Sequence, residues 1–114
     1  MHEMGIVQSI LEIVEQQAKL HEAEKVVGIK LEFGALTGVM PASIDFAFEV
    51  LSKGGIAEGA GLNIVIVPIK VFCFDCSKEI VLEHYQPTCP ICDSAALKIL
   101  EGRDEMRIAE LVVE

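Results

Sequence analysis

Positive charge is scarce in this sequence. Its 114 residues include 9 lysines and arginines against 18 aspartates and glutamates, which gives a formal net charge of −9. Nucleic-acid backbones attract clustered lysine and arginine through counterion release, so this balance disfavours a nucleic-acid partner. An acidic surface suits a basic protein partner or cationic metals instead.

Long hydrophobic runs are absent as well. Hydrophobic residues make up 52% of the chain, as in a globular protein. However, no apolar run approaches the roughly twenty residues needed to span a bilayer. The start of the chain also lacks the charged segment, unbroken apolar core and small-residue cleavage site of a secretory signal. We therefore expect a cytoplasmic protein of one modest domain, with no membrane partner.

Recognisable catalytic motifs are missing too. The sequence contains no identifiable pairing of a nucleophile with a base, no phosphate-binding loop and no open metal site. Internal repeats and low-complexity tracts are likewise absent. The sequence therefore predicts that the protein is not an enzyme.

Cysteine is restricted to two matched pairs. Cys73 and Cys76 form the first C-x-x-C turn, Cys89 and Cys92 form the second, and twelve residues separate the pairs. Each turn can aim two thiolates at one point, and a linker of this length lets a hairpin bring both turns around one tetrahedral ion. The four cysteines are therefore predicted to bind zinc. Four protein ligands would close the coordination shell, so the role of this ion would be structural.

Other interpretations of the cysteines are weaker. Disulfides require an oxidising compartment, which the missing secretory signal disfavours. A thioredoxin-like redox pair would use one C-x-x-C and leave the other without a purpose. Iron in a rubredoxin-like site stays open, because tetrahedral sulfur coordination suits both iron and zinc.

Hydrophobic periodicity predicts an alternation of helices and strands. Helical spacing covers 6–19, with one stripe that includes Ile13, and covers 41–51, where Pro41 suits a first helical turn. The run 62–67, which is apolar except for Asn63, predicts a strand buried on both faces, which Pro68 ends. Further strands are predicted at 27–33, 79–82, 97–100 and 106–113, with Glu110 suggesting a bulge or edge position in the last.

These elements predict an α+β fold. Its core would be a small three-stranded sheet packed against two helices, formed by residues 1–69 and 102–114. A zinc-ribbon-like module with four cysteine ligands would be inserted at 70–101. The segments near 68–71 and 100–104 would form a two-chain neck between them.

The start of the chain offers a second set of metal ligands. The α-amine of Met1, the amide nitrogens of His2 and Glu3 and the imidazole of His2 can supply adjacent nitrogen donors in one plane. Planar nitrogen donors favour Ni(II) or Cu(II). By itself, histidine at position two is weak evidence, because a frayed and solvated terminus is common. The other histidines, His21 and His84, are expected at the surface, His21 with a capping role at the first helix.

Several motifs together resemble one protein family. They are Met1-His2-Glu3, the loop Gly34-Ala35-Leu36-Thr37-Gly38-Val39 followed by Pro41, the helix segment 46–49, the two C-x-x-C pairs, and Gly102 with Glu105-Met106-Arg107-Ile108. In order and spacing they are similar to the HypA family of hydrogenase nickel-incorporation proteins, over essentially the whole chain. Many family members have glycine after the second cysteine of each pair, where this sequence has Ser77 and Asp93.

The resemblance implies a metallochaperone. His2 would bind transient Ni(II) cargo with Met1 and Glu3 as neighbours in the ligand set, and Cys73, Cys76, Cys89 and Cys92 would hold structural Zn(II). The implied partners are a HypB-type nickel GTPase and the large subunit of [NiFe]-hydrogenase. Some members also serve urease, which adds urease maturation proteins as candidate partners.

Two other classes of function remain open at this point. A rubredoxin-like electron carrier would hold iron in the thiolates and be coloured when purified. A zinc-ribbon adaptor for protein interactions would keep the zinc, and blocking its amino terminus would leave its function intact. Neither class explains the Met1-His2-Glu3 terminus.

Overall fold

The structure is a computed structural model that describes residues 3–114. It contains two α-helices, a 3₁₀ turn and six strands. The bounds are α1 Glu3–Leu20, β1 Val26–Gly34, the 3₁₀ turn Ala35–Thr37, α2 Pro41–Leu51, β2 Gly61–Val67, β3 Ile69–Cys73, β4 Lys78–Leu82, β5 Leu97–Glu101 and β6 Met106–Val113. Neither α1 nor α2 is long and apolar enough to cross a membrane.

Helix α1 forms because its apolar residues recur at helical spacing. Val7, Val14 and Ala18 are fully buried along one face. The predicted stripe was too wide at Ile13, whose side chain is 47% exposed. The buried face of α1 is therefore narrower than the apolar pattern of the sequence.

Strand β1 and helix α2 supply most of the remaining core next to α1. Ile29, Leu31 and Phe33 point inward from β1, with the period of two expected for a strand with one wet face. Helix α2 begins at Pro41 as predicted and buries Ile44, Ala47 and Phe48, and it packs against α1. The predicted α+β class with two helices on a three-stranded sheet is confirmed.

The first sheet has the strand order β2-β1-β6. Strand β2 therefore lies at an edge, and its residues are exposed or half-buried along its whole length. The prediction of burial on both faces was wrong, because a run of Val and Ile also fits an edge strand whose outer side is left uncovered. Strand β6 forms the other edge, in line with the edge position that Glu110 suggested.

The second sheet carries the cysteines and has the order β4-β3-β5, with β3 antiparallel to both neighbours. Its small core consists of Ile69, Val71 and Leu82, with Ile80, Leu97 and Ile99 packed against it. Residues 69–71 were predicted to form a neck after Pro68. They instead begin β3, because a proline outside the strand does not prevent pairing at the next residue.

Contacts divide the chain into two compact units. The helix unit comprises the described residues up to 32 together with 39–65 and 107–114, and the cysteine unit comprises 33–38 and 66–106. The segment 33–38, which follows β1, thus belongs to the cysteine unit by its contacts. Separate domains with boundaries at 69/70 and 101/102 stay a prediction.

A tight backbone approach joins the two pieces of the cysteine unit. The N–H of Gly34 donates to the carbonyl oxygen of Glu105 at 2.9 Å, and the N–H of Leu36 donates to that of Gly102 at 2.8 Å. The carboxylate of Glu105 in turn accepts the N–H of Gly102, at 2.9 and 3.1 Å from its two oxygens. A Cβ on Gly34 would lie 2.8 Å from the carbonyl carbon of Gly102, so this approach needs glycine.

Candidate metal centre

The four cysteines occupy two turns of the cysteine unit. Cys73 is the last residue of β3, and Cys76 lies in the turn that leads to β4. Cys89 and Cys92 lie in the connection between β4 and β5. Pairing of β3 with both neighbours aligns Cys73 with Lys78 and with Leu97, which brings the two turns to the same end of the sheet.

The sulfur atoms have the spacing of a tetrahedral site. The Sγ atoms of Cys73 and Cys92 are 3.5 Å apart, those of Cys76 and Cys89 are 3.9 Å apart, and all four lie within 4.8 Å of one another. Zinc–sulfur bonds of about 2.3 Å in a tetrahedron require sulfur separations of about 3.8 Å. All four are free thiols, so the donor set fits one tetrahedral metal ion.

Hydrogen bonds hold the two turns together. The N–H of Phe74 donates to the carbonyl oxygen of Ala96 at 3.0 Å, and the N–H of Cys89 donates to that of Ser94 at 2.8 Å. The hydroxyl of Ser94 donates to the carboxylate of Asp75 and accepts the N–H of Ala96 at 3.0 Å. This link between Asp75 and Ser94 has no spacing signature in the sequence, because it depends on the fold.

The residue after each C-x-x-C turn has a left-handed backbone. Ser77 has φ 55° and Asp93 has φ 62°, values that favour glycine. The N–H of Asp93 also donates to the carbonyl oxygen of Cys89 at 2.9 Å, which closes the second turn. The two side chains therefore occupy the positions at which many relatives were expected to have glycine, and the turns form with them.

The thiols differ in proton affinity. Burial, followed by hydrogen bonding to Cys73, raises the pKa of Cys76 to about 12. The pKa of Cys89 is lowered to about 7, chiefly because the backbone N–H of Cys92 donates to its sulfur. Because metals bind the thiolate, loading this site must release protons.

The predicted amino-terminal ligands are described only in part. Met1 and His2 lie outside the described residues, and Glu3 is half-buried at the start of α1. The nickel assignment of these residues stays a prediction. Within residues 3–114, the four cysteines are the only cluster of three or more His, Cys, Asp or Glu side chains that could hold a metal ion.

The other histidines have separate positions. The Nδ1 atom of His21 lies 2.9 Å from the carbonyl oxygen of Gln17 at the end of α1, in agreement with the predicted capping role. His84 is exposed and is not part of the cysteine cluster. An imidazole ligand to the cysteine-bound metal is therefore not needed.

Comparisons with known proteins relate the whole chain to one family. The family model described as "Hydrogenase/urease nickel incorporation, metallochaperone, hypA" matches residues 1–113. The hydrogenase maturation factor HypA of Rhodobacter capsulatus is 43% identical over 113 residues, which cover 99% of each chain. The hydrogenase maturation factor HybF of Proteus vulgaris is 36% identical over 114 residues, which cover 100% of each chain.

The fold has a solved counterpart. The solution structure of the nickel metallochaperone HypA from Helicobacter pylori superposes with a TM-score of 0.68 at 26% identity. The match covers 99% of this chain and 97% of that chain.

Proposed function

Because the chain belongs to the HypA family of nickel metallochaperones for hydrogenase and urease maturation, we propose that it carries Ni(II) at its amino terminus and helps to insert it into the large subunit of [NiFe]-hydrogenase. The match of the family model to residues 1–113 carries this proposal, since it includes both candidate metal sites. Members of the family are maturation factors rather than enzymes, and a carrier needs binding and release, not catalysis.

The proposed nickel ligands are the terminal amine of Met1, the imidazole of His2 and nearby amide nitrogens, with Glu3 as neighbour. Nitrogen donors in one plane suit Ni(II). A site at a chain end can be dismantled by a small backbone movement or by protonation of one imidazole. Such a site can release its cargo, which a carrier requires.

The proposed zinc site consists of Cys73, Cys76, Cys89 and Cys92. Sulfur separations of 3.5 and 3.9 Å support a tetrahedral ion that all four thiolates hold. With four protein ligands the ion has no open position, so its role would be to stabilise the cysteine unit. Family membership favours this structural zinc over the iron of a rubredoxin-like electron carrier.

The proposed partners are a HypB-type nickel GTPase and the hydrogenase large subunit, with urease maturation proteins as further candidates. Since members of the family act in hydrogenase maturation, the immature large subunit is the expected acceptor. We place this action in the cytoplasm, where reducing conditions keep four cysteines available as thiolates. Nucleic acid and membranes are not proposed as partners.

Ni(II) titration by calorimetry on untagged, zinc-loaded protein tests the nickel site. We expect about one nickel per chain, with binding lost in His2→Ala and in a variant with a few extra residues before Met1. His21→Ala is the matched control, because it removes an exposed imidazole outside the proposed site and should leave binding unchanged.

Two results would contradict the nickel assignment. Wild-type protein that binds no nickel would remove the proposed cargo. Binding that survives both His2→Ala and the amino-terminal extension would place the nickel elsewhere in the chain. In either case the four-cysteine site would be left as the basis of an interaction module.

A further inference from the structure

A groove of about 700 Å³ lies on the cysteine unit beside β5. Leu36, Phe74 and Tyr85 line it together with Leu97 and Ile99 of the strand, and Lys98 and Arg103 add two cationic side chains. None of the described residues that line the groove is one of the four cysteines, although Phe74 lies between Cys73 and Cys76 in the chain. The groove therefore borders the proposed zinc site without using its ligands.

Large apolar side chains are left open to solvent in this groove. Phe74 is 58% exposed, Tyr85 is 57% exposed and Leu36 is 39% exposed. Aromatic residues and arginine are enriched where proteins bind partners, whereas solitary exposed apolar residues are common everywhere. Three exposed apolar side chains around one concave surface form a clustered apolar patch, which a partner could cover.

The groove is held in shape by the surrounding backbone and rings. Leu36 is fixed by the hydrogen bond from its N–H to the carbonyl oxygen of Gly102, at 2.8 Å. Phe74 is fixed by the bond from its N–H to Ala96 and by an edge-to-face contact with Phe72, whose ring centroid lies 5.1 Å away. A preformed surface loses little entropy when a partner binds.

Two cations line the groove, Lys98 and Arg103. Elsewhere the cationic Lys70 pairs with Glu79 at 3.1 Å and Arg107 pairs with Glu32 at 2.6 Å. Among residues 3–114, neither Lys98 nor Arg103 makes an ion pair, although the chain has twice as many acidic as basic residues. Glu101 and Asp104 lie close to these cations in the chain, but neither is ion-paired with them, so Lys98 and Arg103 can each pair with a carboxylate of an acidic ligand.

Strand β5 adds backbone donors and acceptors. In the order β4-β3-β5 it lies at an edge, so it is paired on one side only within its sheet. An extended peptide can join such an edge through main-chain hydrogen bonds, while neighbouring pockets select its side chains. The edge strand favours an extended segment over a helix as the occupant.

We propose that the groove docks an extended acidic segment of a partner protein through one bulky apolar side chain. The apolar side chain enters between Phe74 and Tyr85, and the flanking carboxylates pair with Lys98 and Arg103. This function is independent of nickel binding. It gives the cysteine unit a role in partner recognition, beyond that of a metal-stabilised structure.

A synthetic peptide is the probe for this groove. The fluorescein-labelled sequence Gly-Ser-Glu-Leu-Glu-Phe-Glu-Ser-Gly is titrated with zinc-loaded protein and followed by anisotropy. A second peptide has lysine in place of each glutamate and tests the need for negative charge. A third peptide has serine in place of leucine and phenylalanine and tests the need for an apolar anchor. We expect saturable binding of the first peptide and at least about tenfold weaker binding of the other two.

Variants locate the binding surface. Lys98→Glu, Arg103→Glu and Tyr85→Ala should each weaken the peptide about tenfold or more, because they reverse the charge or remove the anchor pocket. Lys53→Glu changes an exposed lysine of the helix unit, and Val81→Ser changes a 62% exposed apolar residue of β4 outside the groove. Both controls should bind as wild type does. Unchanged zinc content in every variant shows that the cysteine unit is intact.

Several results would overturn the proposal. The proposal is wrong if the acidic peptide does not bind at concentrations up to about 1 mM. It is also wrong if the lysine peptide binds equally well, or if the three groove variants bind the acidic peptide as wild type does. A twelve-nucleotide single-stranded DNA and vesicles with anionic lipid are tested in parallel. Binding of either one in place of the acidic peptide would assign the two cations to phosphate recognition instead. Tyr85→Ala should bind Ni(II) as wild type does. This titration therefore distinguishes a failure of the groove proposal from a failure of the amino-terminal nickel proposal.

Discussion

At the scale of single residues, the left-handed backbone of Ser77 and Asp93 is the most informative feature. A side chain in this conformation costs about 1 kcal/mol relative to glycine, and aspartate tolerates it better than serine. Ser77→Gly should therefore raise the free energy of unfolding of the zinc-loaded protein by about 0.5–1 kcal/mol, and Asp93→Gly by less. Denaturant unfolding measures both.

Ser9→Gly is the matched control for this prediction. Ser9 is an exposed residue of α1 in a right-handed helix, where the same substitution should lower stability by about 0.5 kcal/mol. Ser77→Gly that destabilises as Ser9→Gly does would show that the turn gains nothing from glycine at this position.

At Gly102, in contrast, replacing glycine is expected to destabilise the protein. It has φ +88°, and a Cβ would lie 2.5 Å from the carbonyl oxygen of Pro68 and 2.7 Å from the Cα of Ile69. Gly102→Ala should therefore cost about 3 kcal/mol, from both strain and overlap with backbone that cannot move aside easily. Comparing the thermal unfolding of Gly102→Ala with that of Gly59→Ala separates the cost of backbone strain from the cost of steric overlap.

Gly59 has φ +77° and open space around the added Cβ. Gly59→Ala should therefore cost only the left-handed strain, about 1 kcal/mol. Equal losses for the two substitutions would mean that the approach of Pro68 to Gly102 is not tight in solution.

At residue scale, the sequence predicted what depends on spacing. The C-x-x-C turns bring Cys73, Cys76, Cys89 and Cys92 together as expected, because a short hairpin leaves little freedom in their placement. The bond between Ser94 and Asp75 was not predictable, because the two residues are nineteen positions apart and meet only through the pairing of β3 and β5.

At the scale of elements, the strands of the cysteine unit depend on the metal. Their apolar core consists of Ile69, Val71 and Leu82 with three half-buried neighbours, which is too little to hold a sheet of this size alone. Removal of zinc by a chelator should therefore release residues 71–98 to fast amide hydrogen exchange while α1 stays protected. Mass spectrometry of peptides from the two regions measures this difference.

Two outcomes would contradict that prediction. Exchange that is unchanged in β3, β4 and β5 after chelation would show a sheet that is stable without metal. Exchange that rises equally in α1 would show that zinc supports the whole chain.

His84→Ala, which changes a histidine outside the cysteine cluster, should leave zinc content as in wild type.

Element types were predictable and strand burial was not. Periodicity identified both helices and five of the six strands, since these patterns reflect side-chain direction along the backbone. The burial of β2 was misjudged because an apolar run does not say whether a neighbouring strand covers it. Residues 69–71, which begin β3, were taken as part of a neck because the last strand was expected to rejoin the first sheet on the far side of the cysteine module.

At the scale of the whole molecule, the proposed nickel cargo should depend on pH. The imidazole of His2 must be neutral to bind, and an unperturbed imidazole has a pKa of about 6.5. Nickel affinity should therefore be higher at pH 7.5 than at pH 5.5, because the imidazole gains a proton as the pH drops below about 6.5. Calorimetric titration at pH 7.5, 6.5 and 5.5 checks this, and an affinity that is flat across the range would exclude a histidine ligand.

The order of helices and strands predicted the overall class, because it leaves few ways to cover one sheet with two helices. The composition of the cysteine unit was beyond sequence reasoning. Residues 33–38 belong to it by contact, although they lie about thirty positions before the rest. The close approach of Gly34 to Gly102 and Glu105 and the bond from Leu36 to Gly102 bring these segments together.

That close approach limits how the chain can be divided. A fragment of residues 66–106 would contain all four cysteines but lose Gly34 and Leu36, whose N–H groups bond to Glu105 and Gly102. The cysteine unit is therefore not a cassette that two cuts can transplant into another protein. An exchange between relatives would have to carry the loop 33–38 along with it, so the two segments are expected to be inherited together.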